Sequence, residues 1–272
     1  MRTSRTGRIA AHLLLIAGAV VVLMPFAWMI TSSLKSPGEV HLPPYLWPTS
    51  FDTSNYSRAL ETGDFGRYYF NSTVVTGAVV AGQVMLASMA GYAFARLRFP
   101  GRGLLFGVVL ATMMVPIYVT LVPRFMTVRD LGWLDSYPGL IVPQIVTPFG
   151  VFLTRQYFLS LSPSYEEAAL IDGAGRLRVW WSIAMPMSAP VMAVLGIFGF
   201  LFAWNDFLWP LVVVTDDNMR TVQLGLAMFS GRYGTQWTLL AAGSLVATLP
   251  ALLAFLIGQR WLIRGIAMGD FK

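Results

Sequence analysis

Apolar residues in this chain come in runs too long for a soluble core. Six stretches, at about 9–31, 70–95, 103–123, 138–159, 187–214 and 238–262, are uninterrupted or nearly so. At about 1.5 Å of rise per residue each can cross a hydrocarbon core ~30 Å thick, the longer ones with tilt. The pattern predicts an all-α integral membrane protein of about six transmembrane helices, forming one domain over 1–272. The third and fourth stretches contain Pro116, Pro143 and Pro148. Proline is tolerated in a membrane helix where neighbours or cavity water satisfy the freed carbonyl. These prolines read as packing kinks or as marks of helices that line a path.

Three of the connections between the runs are long. Residues 32–69 carry Pro37, Pro43, Pro44 and Pro48 with Trp47 and several tyrosines, as in an ordered cap or docking surface. Residues 160–186 and 215–237 form the other two long connections. Arg2, Arg5 and Arg8 precede the first run as they would in a signal peptide, but the run is about twice the usual signal core, so it reads as a retained span.

Composition agrees with a bilayer: 56% of residues are hydrophobic and 12% charged, against about a quarter charged in soluble domains. The net charge of +6 is explained by placement. With the N-terminus in the cytoplasm, the inner segments hold Arg2, Arg5, Arg8, Arg96, Arg98, Arg102, Arg155, Arg176, Arg178, Arg260, Arg264 and Lys272, which is 12 of the 19 basic residues. The positive-inside rule then puts both termini in the cytoplasm. No nucleic-acid partner is needed to account for the charge.

Several chemistries are excluded. There is no cysteine, and His12 and His41 lie far apart, so no metal site is expected. The only lysines are Lys35 and Lys272. Neither follows a glycine-rich turn, so the chain has no nucleotide-binding phosphate loop of its own. The spans are almost free of charge, which disfavours an ion-coupled secondary transporter, and no carboxylate or histidine cluster suggests a membrane-embedded enzyme. Asp206 is the exception, beside Trp204 and Asn205. This trio reads either as a polar lumen or gate facing a partner permease, or as a helix end fixed by hydrogen bonds. Trp204 and Trp209 are expected as interface anchors, with stacking on a sugar the other reading.

The connection at 160–186 carries the most specific signal. Ser162-Pro163 is a helix start, since serine caps and proline suits the first position. Ser164 with Glu167 matches a capping box, and Glu166 and Glu167 complement the helix dipole. Gly173 and Gly175 end the helix after about two turns. Ala169 and Gly173, four apart, share a face open to close approach.

The run Glu167-Ala168-Ala169, Gly173, Ile183 and Met185-Pro186 resembles the signature loop of bacterial ABC-importer permeases, which usually has Leu-Pro where Met185-Pro186 stands. Asn55-Tyr56, Asn71-Ser72, Tyr92-Ala93-Phe94-Ala95-Arg96, Phe99-Pro100-Gly101, Trp204-Asn205-Asp206-Phe207-Leu208-Trp209-Pro210 and Gln259-Arg260-Trp261-Leu262-Ile263-Arg264-Gly265 are similar to the carbohydrate branch of that family, most of all to its second, maltose-type permease. The matches run in order along nearly the whole chain.

The resemblance implies a type I ABC importer permease fold, with a cytoplasmic coupling helix between the fourth and fifth spans. That helix would dock on an ATPase through Glu166, Glu167, Ala168, Ala169, Asp172 and Gly173, with Pro186 closing the motif. A tail at Arg260, Arg264 and Lys272 would reach the ATPase dimer too. The family often ends in a Gly-Gly-Val-Lys-Gly-like run, whereas this chain ends Gly269-Asp270-Phe271-Lys272. The implied partners are a second permease, an ATPase dimer that binds ATP and Mg, an extracytoplasmic solute-binding protein and a sugar. The implied location is a bacterial cytoplasmic membrane, and the chain itself would hold no cofactor. A glycerol-phosphate-like polyol is the alternative substrate.

Overall fold

In a computed structural model the described residues are 5–43, 46–231 and 234–267. Apart from one two-residue strand pair, Ser230–Gly231 with Gly234–Thr235, their regular structure is helical. The helices are α1 (Arg5–Ser33), α2 (Ser54–Glu61), α3 (Phe65–Arg96), α4 (Arg102–Thr112), α5 (Ile117–Asp130), α6 (Tyr137–Ile141), α7 (Pro148–Ser160), α8 (Ser164–Ile171), α9 (Arg176–Val179), α10 (Met185–Met187), α11 (Ala189–Trp204), α12 (Leu208–Val213), α13 (Val222–Leu226) and α14 (Trp237–Ala267).

Among the described residues three helices are long and apolar enough to cross a membrane by themselves: Gly7–Ser33, Phe65–Arg96 and Trp237–Trp261. Three bent pairs bring the number to as many as six, if each pair counts as one span. Arg102–Thr112 and Ile117–Asp130 meet at 100°, Tyr137–Gln144 and Pro148–Ser160 at 44°, and Arg176–Met187 and Ala189–Trp204 at 80°. The expected third span at 103–123 is therefore not one straight rod. The prolines sit at the breaks: Pro116 is the extended N-cap of α5, Pro143 lies in a 3-10 turn, and Pro148 opens α7. Each falls where its missing N–H would be unpaired anyway. The expected fifth span at 187–214 is also divided, because α11 ends at Trp204 and α12 starts at Leu208.

The chain divides into two compact units, Met1–Gly66 with Gly225–Leu249, and Arg67–Leu224 with Pro250–Lys272. In the first, the polar segment after α1 is ordered around Asn55. Its amide donates to the carbonyls of Ser33, Lys35 and Asp52 at 2.9, 2.8 and 3.0 Å. Tyr56 and Ser33 share a hydroxyl hydrogen bond of 2.8 Å. Phe65 stacks on Phe229, centroids 5.8 Å apart. The apolar stretch of α1 buries none of its residues, so its covering must be lipid or protein outside this unit.

In the second unit α3 and α7 pack nearly backbone to backbone. A Cβ added to Gly91 would lie 2.8 Å from the Arg155 nitrogen, and one added to Gly150 would lie 2.9 Å from Ala87 Cβ. Thr154 fills the gap, its hydroxyl donating to the carbonyls of Ala87 and Gly150 at 2.7 and 2.8 Å. Small residues allow this approach where the hydrophobic effect cannot drive helices together. Further along α3, Asn71 donates to the carbonyls of Asn218 and Arg220 and accepts from the Tyr137 hydroxyl, while Ser72 Oγ accepts from the Val222 amide. Asp135, at φ 51°, accepts from the amides of Thr215 and Asp216 at 2.5 and 2.8 Å and from the Thr215 hydroxyl. Burial raises its carboxyl pKa, but these hydrogen bonds outweigh that and hold it below the ordinary value.

Candidate functional site

The signature segment folds into an exposed helix on a buried anchor. Pro163 enters α8 at helical angles, and its carbonyl accepts from the amides of Glu166 and Glu167 at 3.0 and 2.9 Å. The capping box expected from Ser164 and Glu167 is not formed. Ser164 instead shares a hydroxyl hydrogen bond with Ser162, whose Oγ accepts the Ser164 amide at 3.4 Å. The turn begins one residue earlier than the box requires, so Ser162 does the capping. At the other end the Gly173 amide bonds to the Leu170 carbonyl and the Ala174 amide to the Ala169 carbonyl, with Gly173 at φ 83°. This is a Schellman end, and it needs glycine for its left-handed backbone. A Cβ on Gly173 would meet nothing within 4 Å, so within this chain the constraint is conformational and not steric.

Glu166 does not face outward with its neighbours. It is 5% exposed and accepts from Arg96 Nε at 2.7 Å and from the Tyr92 hydroxyl at 3.0 Å. Arg96 also donates from Nη2 to the Leu161 carbonyl at 2.8 Å. Sequence reasoning placed Glu166 among docking residues; the structure makes it the pin that holds α8 to the end of α3. Ala169 and Leu170 also turn inward, against a cluster of Tyr92, Phe158, Val179 and Trp180. What α8 exposes is Ser164, Tyr165, Glu167, Ala168 and Ile171, followed by the exposed C-cap Asp172. Tyr165 at 59% and Ile171 at 86% exposure are large apolar side chains left uncovered. The motif spacing gave no sign of them, because it singled out small and acidic positions. Pro186 is exposed in α10, just after a π-helical turn at Trp180–Ala184.

Of the three tail residues, Arg260 is exposed and its guanidinium lies 3.9 Å from the Trp261 ring centre. Arg264 lies on α14, and Lys272 falls outside the described residues.

The trio at the end of α11 separates. Trp204 is 3% exposed and stacks on Phe200 with centroids 5.6 Å apart. Trp209 is equally buried, donates from Nε1 to the Gly139 carbonyl at 3.0 Å, and lies under the Arg124 guanidinium at 4.5 Å. Neither ring is the exposed anchor expected from sequence; both are core. Asn205 closes α11, its amide donating to the Leu201 carbonyl at 2.8 Å. Asp206 accepts the Trp209 amide at 3.3 Å, tying the break to α12. The Asp206 side chain also lines a cavity of about 780 Å³ with Gln83, Arg124, Gln144 and Trp209. The two readings of Asp206 are thus compatible, one oxygen fixing a helix end at the wall of an open space. Sequence reasoning missed Gln83, Arg124 and Gln144, which come from three separate segments. Among the described residues no group of histidine, aspartate and glutamate could hold a metal ion.

Comparison with known proteins bears on both regions. Residues 83–267 match the model of the family described as binding-protein-dependent transport system inner membrane component. The chain is 35% identical over 266 residues to the diacetylchitobiose uptake system permease protein NgcG of Streptomyces coelicolor, covering 96% of this chain and 88% of that one. It is 32% identical over 267 residues to the sn-glycerol-3-phosphate transport system permease protein UgpE of Yersinia enterocolitica, covering 95% of each. Its fold matches a chain of a bacterial ABC transporter involved in import of the acidic polysaccharide alginate, with a TM-score of 0.85 at 25% identity over 96% of this chain and 99% of that one.

Proposed function

Because the chain belongs to the family of inner membrane components of binding-protein-dependent transport systems, we propose that it is the permease subunit of an ATP-binding-cassette importer for a sugar or oligosaccharide. A solute-binding protein delivers the sugar outside, and a second permease supplies the other half of the path. Two ATPase subunits in the cytoplasm bind ATP and Mg and close on them. This chain has no lysine placed for a phosphate loop, so hydrolysis belongs to those partners. The membrane is the bacterial cytoplasmic membrane, with both chain termini inside.

The observation that carries the reading is the geometry of α8. Its uncovered ridge of Tyr165, Ala168, Ile171 and Asp172 suits a cleft on a partner, while its far side is pinned to α3 through Arg96 and Glu166. A push on the ridge therefore reaches a membrane span through a buried ion pair and not through a floppy loop. Alternating access follows if closure of the ATPases draws this helix and its counterpart together and rocks the spans.

The name of the NgcG relative favours a neutral oligosaccharide as cargo, and that of the UgpE relative a polyol phosphate. The experiment is to reconstitute the chain with the second permease, ATPase and binding protein in liposomes, and to measure ATP-driven uptake. Ile171→Asp should release the ATPase from the detergent-solubilised complex and abolish uptake. Uptake at full rate without the ATPase, or with α8 deleted, would refute the reading.

A further inference from the structure

We infer that the cavity walled by α5, α7 and α11 is a substrate subsite on this subunit itself, built for an uncharged polyhydroxylated solute such as a neutral disaccharide. The inference rests on the importer reading above and adds the class of ligand and the groups that hold it.

The space is about 780 Å³, within the range of roughly 300–1,000 Å³ typical of small-molecule sites. Four charged or amide side chains line it, brought from α3, α5, the 3-10 turn before α7, and the break after α11: Gln83, Arg124, Gln144 and Asp206. Nothing local requires them together. Apolar walls at Phe149, Phe198 and Phe202 surround them, which offers flat faces for the C–H side of a sugar ring.

The decisive atom is Gln144 Oε1. Gln144 is 8% exposed, and its Nε2 donates to the Leu140 carbonyl at 3.0 Å and its backbone carbonyl accepts from Gln83 Nε2 at 2.9 Å. Its side-chain oxygen has no hydrogen-bond partner. A buried acceptor left unpaired is costly and uncommon; this oxygen has almost no accessible surface of its own, but its residue lines the cavity, so a turn of the amide brings it to the open space. It calls for a donor from outside the chain, and a hydroxyl is such a donor. Asp206 adds a second acceptor, and Arg124, one of whose nitrogens is used on the Pro143 carbonyl at 3.1 Å, retains further donors. Acceptors and a donor around one space match the mixed character of sugar hydroxyls.

Charge selects among polar solutes. The four side chains comprise one guanidinium, one carboxylate and two amides, with no net charge. A phosphate or a uronate would gain from Arg124 and lose to Asp206, whereas an uncharged solute can use both.

The absence of cysteine from the chain permits a direct test. Val146 lines the cavity and is exposed, so Val146→Cys places a single thiol there. The full complex carrying it, in liposomes, is labelled with a maleimide in the presence of a panel of neutral disaccharides including diacetylchitobiose, of sn-glycerol-3-phosphate, or of an alginate oligosaccharide. A neutral disaccharide should slow labelling by the factor 1 + [L]/Kd, about tenfold at nine times the apparent Kd. Gln144→Leu should weaken the protection. Asp206→Asn should leave the site net positive, so that sn-glycerol-3-phosphate begins to protect, an effect that mere loss of folding would not produce. Protection by the anionic solutes alone in the unaltered site overturns the ligand class. ATP-driven uptake of a neutral sugar with no protection by it overturns the subsite and leaves the importer reading standing. No ATP-driven uptake of any solute defeats the importer reading and this inference with it.

Discussion

The pin between Arg96 and Glu166 can be tested by removing one partner at a time. The side chains are 12% and 7% exposed, so solvent screens them little. Arg96→Met would leave Glu166 buried with the Tyr92 hydroxyl as its remaining side-chain donor among these contacts. Breaking a buried pair from one side costs about 3–5 kcal/mol, whereas replacing both charges by apolar groups is close to neutral. At about 1.4 kcal/mol per decade, the single change should raise the population of detached α8 roughly 10²- to 10³-fold or more. The assay is a double-mutant cycle of Arg96→Met, Glu166→Leu and the pair. Hydrogen exchange at the amides of 164–171 reports detachment, and sugar taken up per ATP hydrolysed reports coupling. Either single change should speed exchange and lower the uptake ratio, and the double change should restore much of the protection. Additive effects of under about 1 kcal/mol, the scale of exposed pairs, would refute the claim that this ion pair holds the helix.

Three further outcomes follow from packing and titration. Gly91→Val should overpack the α3–α7 contact, because the added carbon would collide with the Thr154 hydroxyl and with the Arg155 backbone nitrogen, which cannot swing aside, costing about 1–3 kcal/mol or more and lowering the detergent melting temperature of the purified chain. Gly173→Ala should cost about 1–2 kcal/mol for its left-handed backbone, seen as faster exchange at 169–174 even without the ATPase; equal exchange would show that the helix end tolerates a side chain. Glu39 accepts from the Thr49 hydroxyl, the Ser36 amide and the Ser50 hydroxyl. The Thr49 bond first, then those of Ser36 and Ser50, hold its carboxyl at about 2 against an ordinary 4.5. A depressed carboxylate stabilises the fold fully above its unfolded pKa and loses that contribution as pH falls toward the folded one. Protection of the Ser36 amide, measured against its intrinsic exchange rate at each pH, should therefore be high at neutral pH and fall between about pH 4.5 and 2, and Glu39→Gln should remove the transition.

The sequence alone sufficed for whatever depends on one element at a time. A bilayer demands long apolar helices with internally paired backbones, so α1, α3 and α14 could be read from hydropathy. Capping chemistry is likewise local, and it put a short helix between Pro163 and Gly173. Ordered motif matches supplied the family, and the structure gives several of them a physical reason. Asn55, Asn71, Tyr92 and Arg96 are hydrogen-bond hubs that join segments distant in the chain. That role could not be read beforehand, since a hub is defined by what it meets. For the same reason adjacent Glu166 and Glu167 looked equivalent until packing turned one inward and left the other exposed. The bend at Ser188, the burial of Trp204 and Trp209, and the gathering of Gln83, Arg124, Gln144 and Asp206 around one space also belong to tertiary structure. Each depends on long-range approach of helices, which the period of a single helix does not encode.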